Sequence, residues 1–116
     1  MSNMPDWNAY RDALIGRVGD FAKLSPDILR GLNTIEDSAN KTGHLKPKMH
    51  EIIALAVAVT TCCDSCIAVH SKKAVERGAT AGEITEALGV AVALDTGASL
   101  TYSARVFDAI AALPKE

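Results

Sequence analysis

Three cysteines fall within five positions, Cys62, Cys63 and Cys66, and His70 follows four residues after the last of them. Cys63-Asp64-Ser65-Cys66 is a C-x-x-C. On a helix turning ~100° per residue, the side chains of Cys63, Cys66 and His70 fall within a sector of about 60° on one face. A cysteine in the first turn of a helix faces unpaired backbone N–H groups and the positive end of the helix dipole, both of which favour thiolate over thiol. A nearby imidazole adds to that preference. The spacing therefore points to a reactive thiol with a base in reach. The two thiols are close enough in sequence to close a disulfide across one turn if the geometry is met. In a reducing compartment such a pair is catalytic or metal-binding more often than structural.

The same residues admit plainer readings. Cys63 and Cys66 with His70 would make a zinc half-site, with Cys62, His50 or His44 as fourth ligand, although no second C-x-x-C or H-x-x-x-H accompanies them. Three buried, inert thiols and a hydrogen-bonded core histidine are the alternative without chemistry. Cys62 receives no role from the pattern. Glu51 enters through the fold: if the helices before and after the cysteines form an antiparallel hairpin turning near Thr61 and Cys62, Glu51 is carried to the level of Lys72, within a turn of His70. A carboxylate at one end of an apolar helix must be paired or protonated. The expectation is proton exchange between Glu51 and His70 or an intervening water, with a salt bridge to Lys72 or Lys73 as the alternative.

The elements that must position these groups read as helices joined by short turns. An amphipathic segment from about Asp6 to Val18 carries Trp7, Tyr10 and Leu14 on one stripe. Ser25-Pro26-Asp27 starts a second helix, with Ile28, Leu29, Leu32 and Ile35, which fades into Asn40-Lys41-Thr42-Gly43. Pro47 opens a third, containing Glu51 and the run Ile52 to Val59. Apolar on every side, it is expected to be surrounded by protein, with a buried strand as the competing reading. A break follows at Thr60 to Ser65. The fourth helix runs from Cys63 or Asp64 to Arg77, stopped by Gly78. Thr80-Ala81-Gly82-Glu83 fits a capping box opening a fifth. Asp95-Thr96-Gly97 is expected to interrupt or kink it, with a last segment from Ala98 to Leu113 closed by Pro114; Asp95 and Tyr102 then serve structure near that kink. The predicted fold is all-α, a bundle of five to six helices in one domain from Met1 to Glu116.

Composition bounds the rest. With 116 residues, 48% apolar and 22% charged, the chain is one globular domain's worth and not a disordered one. A net charge of −2 without a block of like charge gives no nucleic-acid footprint. The longest apolar run, Ile52 to Val59, is far short of the ~20 residues of a membrane helix. Met1-Ser2-Asn3-Met4-Pro5-Asp6 lacks the basic and apolar regions of a secretory signal, so a cytoplasmic location is the expectation. Aromatics are 4%, so the core is built from Ala, Val, Leu and Ile. Such a chain is expected to bury part of its apolar surface against copies of itself.

Glu51, Cys63 twelve residues on, Cys66 after three more and His70 after four together resemble the carboxymuconolactone decarboxylase / alkylhydroperoxidase D family. The resemblance runs from about Leu45 to Ile110, through the Gly78-Ala79-Thr80 turn and the Ala- and Gly-rich stretch Leu88 to Arg105. It implies an all-helical subunit assembling into trimers or hexamers. In the peroxidase branch, the residue matching Cys66 attacks peroxide as thiolate and becomes a sulfenic acid, and the one matching Cys63 condenses with it into a disulfide. Those matching Glu51 and His70 relay protons. No metal or organic cofactor is implied, and a lipoyl group or thioredoxin-like protein supplies the reducing dithiol. The family peroxidase carries a histidine where this chain has Ser65, which cannot act as a base near neutral pH. The lactone decarboxylase branch typically lacks the cysteine pair, so the expectation is a thiol peroxidase; decarboxylation and a non-catalytic zinc-binding oligomer are the alternatives.

Overall fold

The computed structural model describes residues 4–115; of the N-terminal stretch read above, Met1, Ser2 and Asn3 lie outside the described residues. Among the described residues six helices follow one another: α1 (Trp7–Leu24), α2 (Pro26–Thr42), α3 (Pro47–Thr61), α4 (Asp64–Glu76), α5 (Ala81–Tyr102) and α6 (Ala104–Ala111). The all-α expectation holds, and the strand reading of Ile52 to Val59 does not: Pro47 sits at the start of α3 and the run stays helical to Thr61. No helix among the described residues is long and apolar enough to cross a membrane.

The turn chemistry explains where the chain reverses. Asp6 caps α1, its side chain accepting from the Ala9 N–H at 3.1 Å. Gly43 (φ 71°) takes the left-handed position that ends α2, where a side chain would be strained. Cys62 takes the same conformation after α3 without glycine's freedom, at φ 54°. Gly78 (φ 87°) turns the chain after α4. Thr80 and Glu83 form the complete capping box: the Glu83 N–H donates to Thr80 Oγ1 at 3.1 Å and the Thr80 N–H donates to Glu83 Oε1 at 3.0 Å.

α3 is the central element, with α4 folded back along one side and α5 along another. Ala58, Ala68 and Ala74 are almost fully buried and let the backbones of this core approach closely, while Ile52 and Leu55 supply the larger apolar surface. Lys48 and Glu83 tie the start of α3 to the start of α5 at 2.8 Å. α1 lies against α4 and α2, held by a hydrogen bond from Arg11 Nε to the Ala68 carbonyl at 2.7 Å.

Three expectations need correction. The first helix runs on to Leu24 instead of ending near Val18, because Gly19 keeps a helical conformation and the helix is first stopped at Ser25, ahead of Pro26. Asp95-Thr96-Gly97 does not interrupt α5: Thr96 turns its hydroxyl back onto the Val92 carbonyl (2.9 Å) and the helix passes through to Tyr102. The break falls at Ser103, so the last helix is the short α6. Third, α3 is not surrounded on every side. Ile53, Val57 and Val59 remain exposed, since the chain's own helices cover only part of α3.

Candidate active site

The site forms along the helical hairpin of α3 and α4. Cys63 and Cys66 are joined as a disulfide, with their Cα atoms 5.3 Å apart. Cys63 is the N-cap of α4, in extended conformation (φ −98°, ψ 95°), so its side chain does not follow the helix rotation assumed from the sequence. It turns back over the first turn, where Sγ accepts the Cys66 N–H at 3.3 Å. The Ser65 hydroxyl lies 3.3 Å from the same sulfur. Thus the residue that replaces the family histidine is in contact with the N-terminal sulfur of the pair.

One turn beyond Cys66, His70 Nδ1 is 2.6 Å from Glu51 Oε2. The hairpin argument is thereby realised: residues nineteen positions apart meet because α4 folds back along α3. Glu51 is the buried charged side chain among the described residues, at 5% exposure. Its second oxygen, Oε1, accepts from Arg77 Nη1 at 2.8 Å. A buried carboxylate needs such compensation, and a permanently charged guanidinium supplies it. With the carboxylate paired as an anion, His70 Nδ1–H is the donor towards it, which leaves Nε2 as the ring nitrogen able to take a proton.

The lysines expected to pair with Glu51 do not. Lys72 instead joins Glu76 one turn along its own helix at 2.6 Å, which holds the Glu76 carboxyl below its ordinary range. Lys73 faces the same cleft as Glu51 without an ion pair to it. Arg77 is what the sequence reading missed as a partner. Its signal was present: it stands seven residues after His70, two turns along the same face.

Glu51, His70, Lys73 and Arg77 line a cleft of about 430 Å³, walled on its other side by Glu36, Asp37 and Asn40 of α2. His50, in the first turn of α3, also borders it, whereas His44 is exposed between α2 and α3. Cys63 and Cys66 do not line this cleft; they are half-buried at the end of the hairpin. Cys62 is a free, exposed thiol. The reading of three buried thiols therefore fails. The zinc arrangement does not assemble either: among the described residues no group of three or more His, Cys, Asp or Glu is placed to hold a metal ion. The sulfurs are bonded to each other and Nδ1 of His70 to Glu51. Asp95 and Tyr102 stand on α5 away from this site, Tyr102 under the guanidinium of Arg105 at 4.9 Å from the ring centre.

Comparison with known proteins gives a consistent result. The sequence profile of the "Carboxymuconolactone decarboxylase family" matches residues 26–109, which takes the resemblance back through α2. An uncharacterised protein of Haemophilus influenzae is 39% identical over 104 residues, covering 90% of this chain and 92% of that protein. An uncharacterised protein of Cupriavidus necator is 27% identical over 95 residues, covering 79% and 84% respectively. The crystal structure of an apo carboxymuconolactone decarboxylase family protein from Legionella pneumophila superposes with a TM-score of 0.72 at 34% identity, covering 89% of this chain and 92% of that one.

Proposed function

This chain belongs to the carboxymuconolactone decarboxylase family, and within it we propose that the protein is a cofactor-free thiol peroxidase, reducing hydrogen peroxide or small organic hydroperoxides through Cys63 and Cys66. The observation that carries this reading is the cysteine pair at the N-terminus of α4, with a carboxylate-oriented imidazole one turn along the same helix. His70 Nε2 takes the proton of the Cys66 thiol, and Glu51 steadies the imidazolium that results, as a carboxylate does in hydrolytic triads. The Cys66 thiolate attacks the distal peroxide oxygen. The O–O bond breaks, an alcohol or water leaves with a proton returned by His70, and Cys66 becomes a sulfenic acid. Cys63, its sulfur supported by the Cys66 N–H and Ser65, attacks that sulfur; a disulfide forms and water leaves. A dithiol donor, a lipoyl group or thioredoxin-like protein, then restores both thiols by exchange.

Peroxide consumption with a dithiol donor tests this directly. Cys66→Ser is expected to fall to the uncatalysed rate, and a Cys66→Ser variant that keeps full turnover would falsify the proposal.

One observation favours a second reading. The cleft onto which Glu51 and His70 open contains Lys73 and Arg77 but neither sulfur. That arrangement suits proton transfer to a carboxylated lactone, the decarboxylase chemistry of the family name. Under this reading, substituting both cysteines leaves turnover of such a lactone intact.

A further inference from the structure

Across the cleft beside Glu51 and His70, two sets of opposite charge face each other without touching. On the α4 side stand Lys73 and Arg77, four residues apart and so on one face of the helix. On the α2 side stand Glu36 and Asp37, with Asn40 one turn along. Among the described residues, Lys73, Glu36 and Asp37 enter no ion pair. Arg77 gives Nη1 to Glu51 and leaves the rest of its guanidinium fork uncommitted. α2 has its substantial contact with α1 alone, so packing does not draw the two walls together.

The space between the walls is about 430 Å³, within the ~300–1,000 Å³ of small-molecule sites. Hydrogen bonds in which a partner is ionised are roughly twice as strong as neutral ones. A ligand with a carboxylate towards Lys73 and Arg77 and an ammonium towards Glu36 and Asp37 makes such bonds on both sides at once. A neutral hydroperoxide uses neither wall, and a purely anionic one is opposed by the acids of α2. An amino acid or short peptide carries both groups. His70 connects the cleft to the redox pair: it lines the cleft, and Cys66 lies four residues before it on α4, a rise of about 6 Å. A peroxide group on the side chain of a ligand anchored between the walls has that length to cover.

We propose that the peroxide reduced at this site is zwitterionic, a hydroperoxide formed on an amino acid or short peptide, with Lys73 and Arg77 holding its carboxylate and Glu36 and Asp37 its ammonium. This rests on the thiol peroxidase reading and narrows its substrate. The cycle is the one given above. The Cys66 thiolate takes the distal oxygen, the O–O bond breaks, and the hydroxylated amino acid leaves with the proton from His70. Cys63 then displaces the sulfenic oxygen as water, its own thiol proton included, and the two thiols have supplied the two electrons.

Two peroxides that share a tertiary C–OOH centre test this: β-hydroperoxyvaline, which is zwitterionic, and tert-butyl hydroperoxide, which is neutral. Each is given to the reduced full chain with dihydrolipoamide as donor, and each rate is divided by that of the same peroxide with a free thiol, which removes intrinsic reactivity. The expected kcat/KM is at least about tenfold higher for the valine peroxide, with the difference carried by KM. N-acetylation of that peroxide, which removes its ammonium, should lower the preference. Lys73→Met should lower it as well, as should Glu36→Gln combined with Asp37→Asn, whereas Lys73→Arg should keep it. Equal normalised kcat/KM for the two peroxides, or a preference unchanged by acetylation or by Lys73→Met, overturns the inference and leaves the peroxidase reading standing. Consumption of neither peroxide overturns both.

Discussion

Along α3 and α4, alanines at 58, 68 and 74 let two backbones close together and seal a buried carboxylate between them, so this region completes itself within one chain. On α2 and α6 the opposite holds. Ile28, Leu32 and Ile35 form a stripe at helical spacing on α2, and Val106, Phe107 and Ile110 form one on α6, and all stand in the open. Both regions are apolar, but only the first buries its side chains within the chain. The candidate site is therefore built locally, whereas the α2 and α6 stripes leave their large side chains at least half exposed in this chain.

The largest expected effect lies in the closed region. Glu51→Gln removes the charge that orients His70 and supports its imidazolium, and should lower kcat/KM for peroxide by about 10²–10⁴-fold. Unchanged kcat/KM in a folded variant would break the comparison, because the buried carboxylate would then serve packing alone. Arg77→Met is next. It removes one of the two partners of Glu51, and with the guanidinium 38% exposed the loss should be about 1–3 kcal/mol in urea denaturation. Lys72→Met, which breaks only an exposed pair within α4, should leave the midpoint unchanged.

Overpacking distinguishes the two regions more finely. Ala68 has no exposed surface, so Ala68→Leu should cost about 1–3 kcal/mol in urea denaturation. Phe107 is 75% exposed, so Phe107→Ser should instead shift the stability of the chain by no more than about 0.5 kcal/mol.

These helices were legible in the sequence wherever a local rule decided. Gly43, Gly78 and the Thr80–Glu83 box end or start helices through their own backbone and side-chain chemistry, and each is found where its residue type demands. Asp95-Thr96-Gly97 was misread because polar and small residues mark a turn only when they lack a helical solution, and Thr96 finds one on the Val92 carbonyl. The meeting of Glu51 with His70 followed from folding one helix back on another, without any need to know which faces touched. Arg77 did not follow, because selecting it over Lys72 and Lys73 requires the rotation of α4 against α3. The exposure of α3 on one side was equally hidden: an all-round apolar helix does not tell which of its sides the neighbouring helices leave open.

The smallest expected effect is at the junction of α3 and α5. Glu83 is held at about 2, well below the ordinary 4.5, first by the hydrogen bond from Lys48 and then by the Thr80 backbone N–H. A carboxylate lowered in the folded state contributes stability that is fully present above its unfolded value and lost as pH falls through its folded one. Stability should therefore decline between about pH 4.5 and 2, and Glu83→Gln should flatten part of that decline in acid titrations followed by circular dichroism.

The central claim is that Cys63 and Cys66 cycle between dithiol and disulfide when peroxide arrives. The direct measurement is mass spectrometry of the fully reduced protein after one equivalent of peroxide. The account predicts a loss of two hydrogens within a single chain, mapped to the peptide that holds both residues. A product linked through Cys62, or a reduced pair that survives the oxidant, would contradict it.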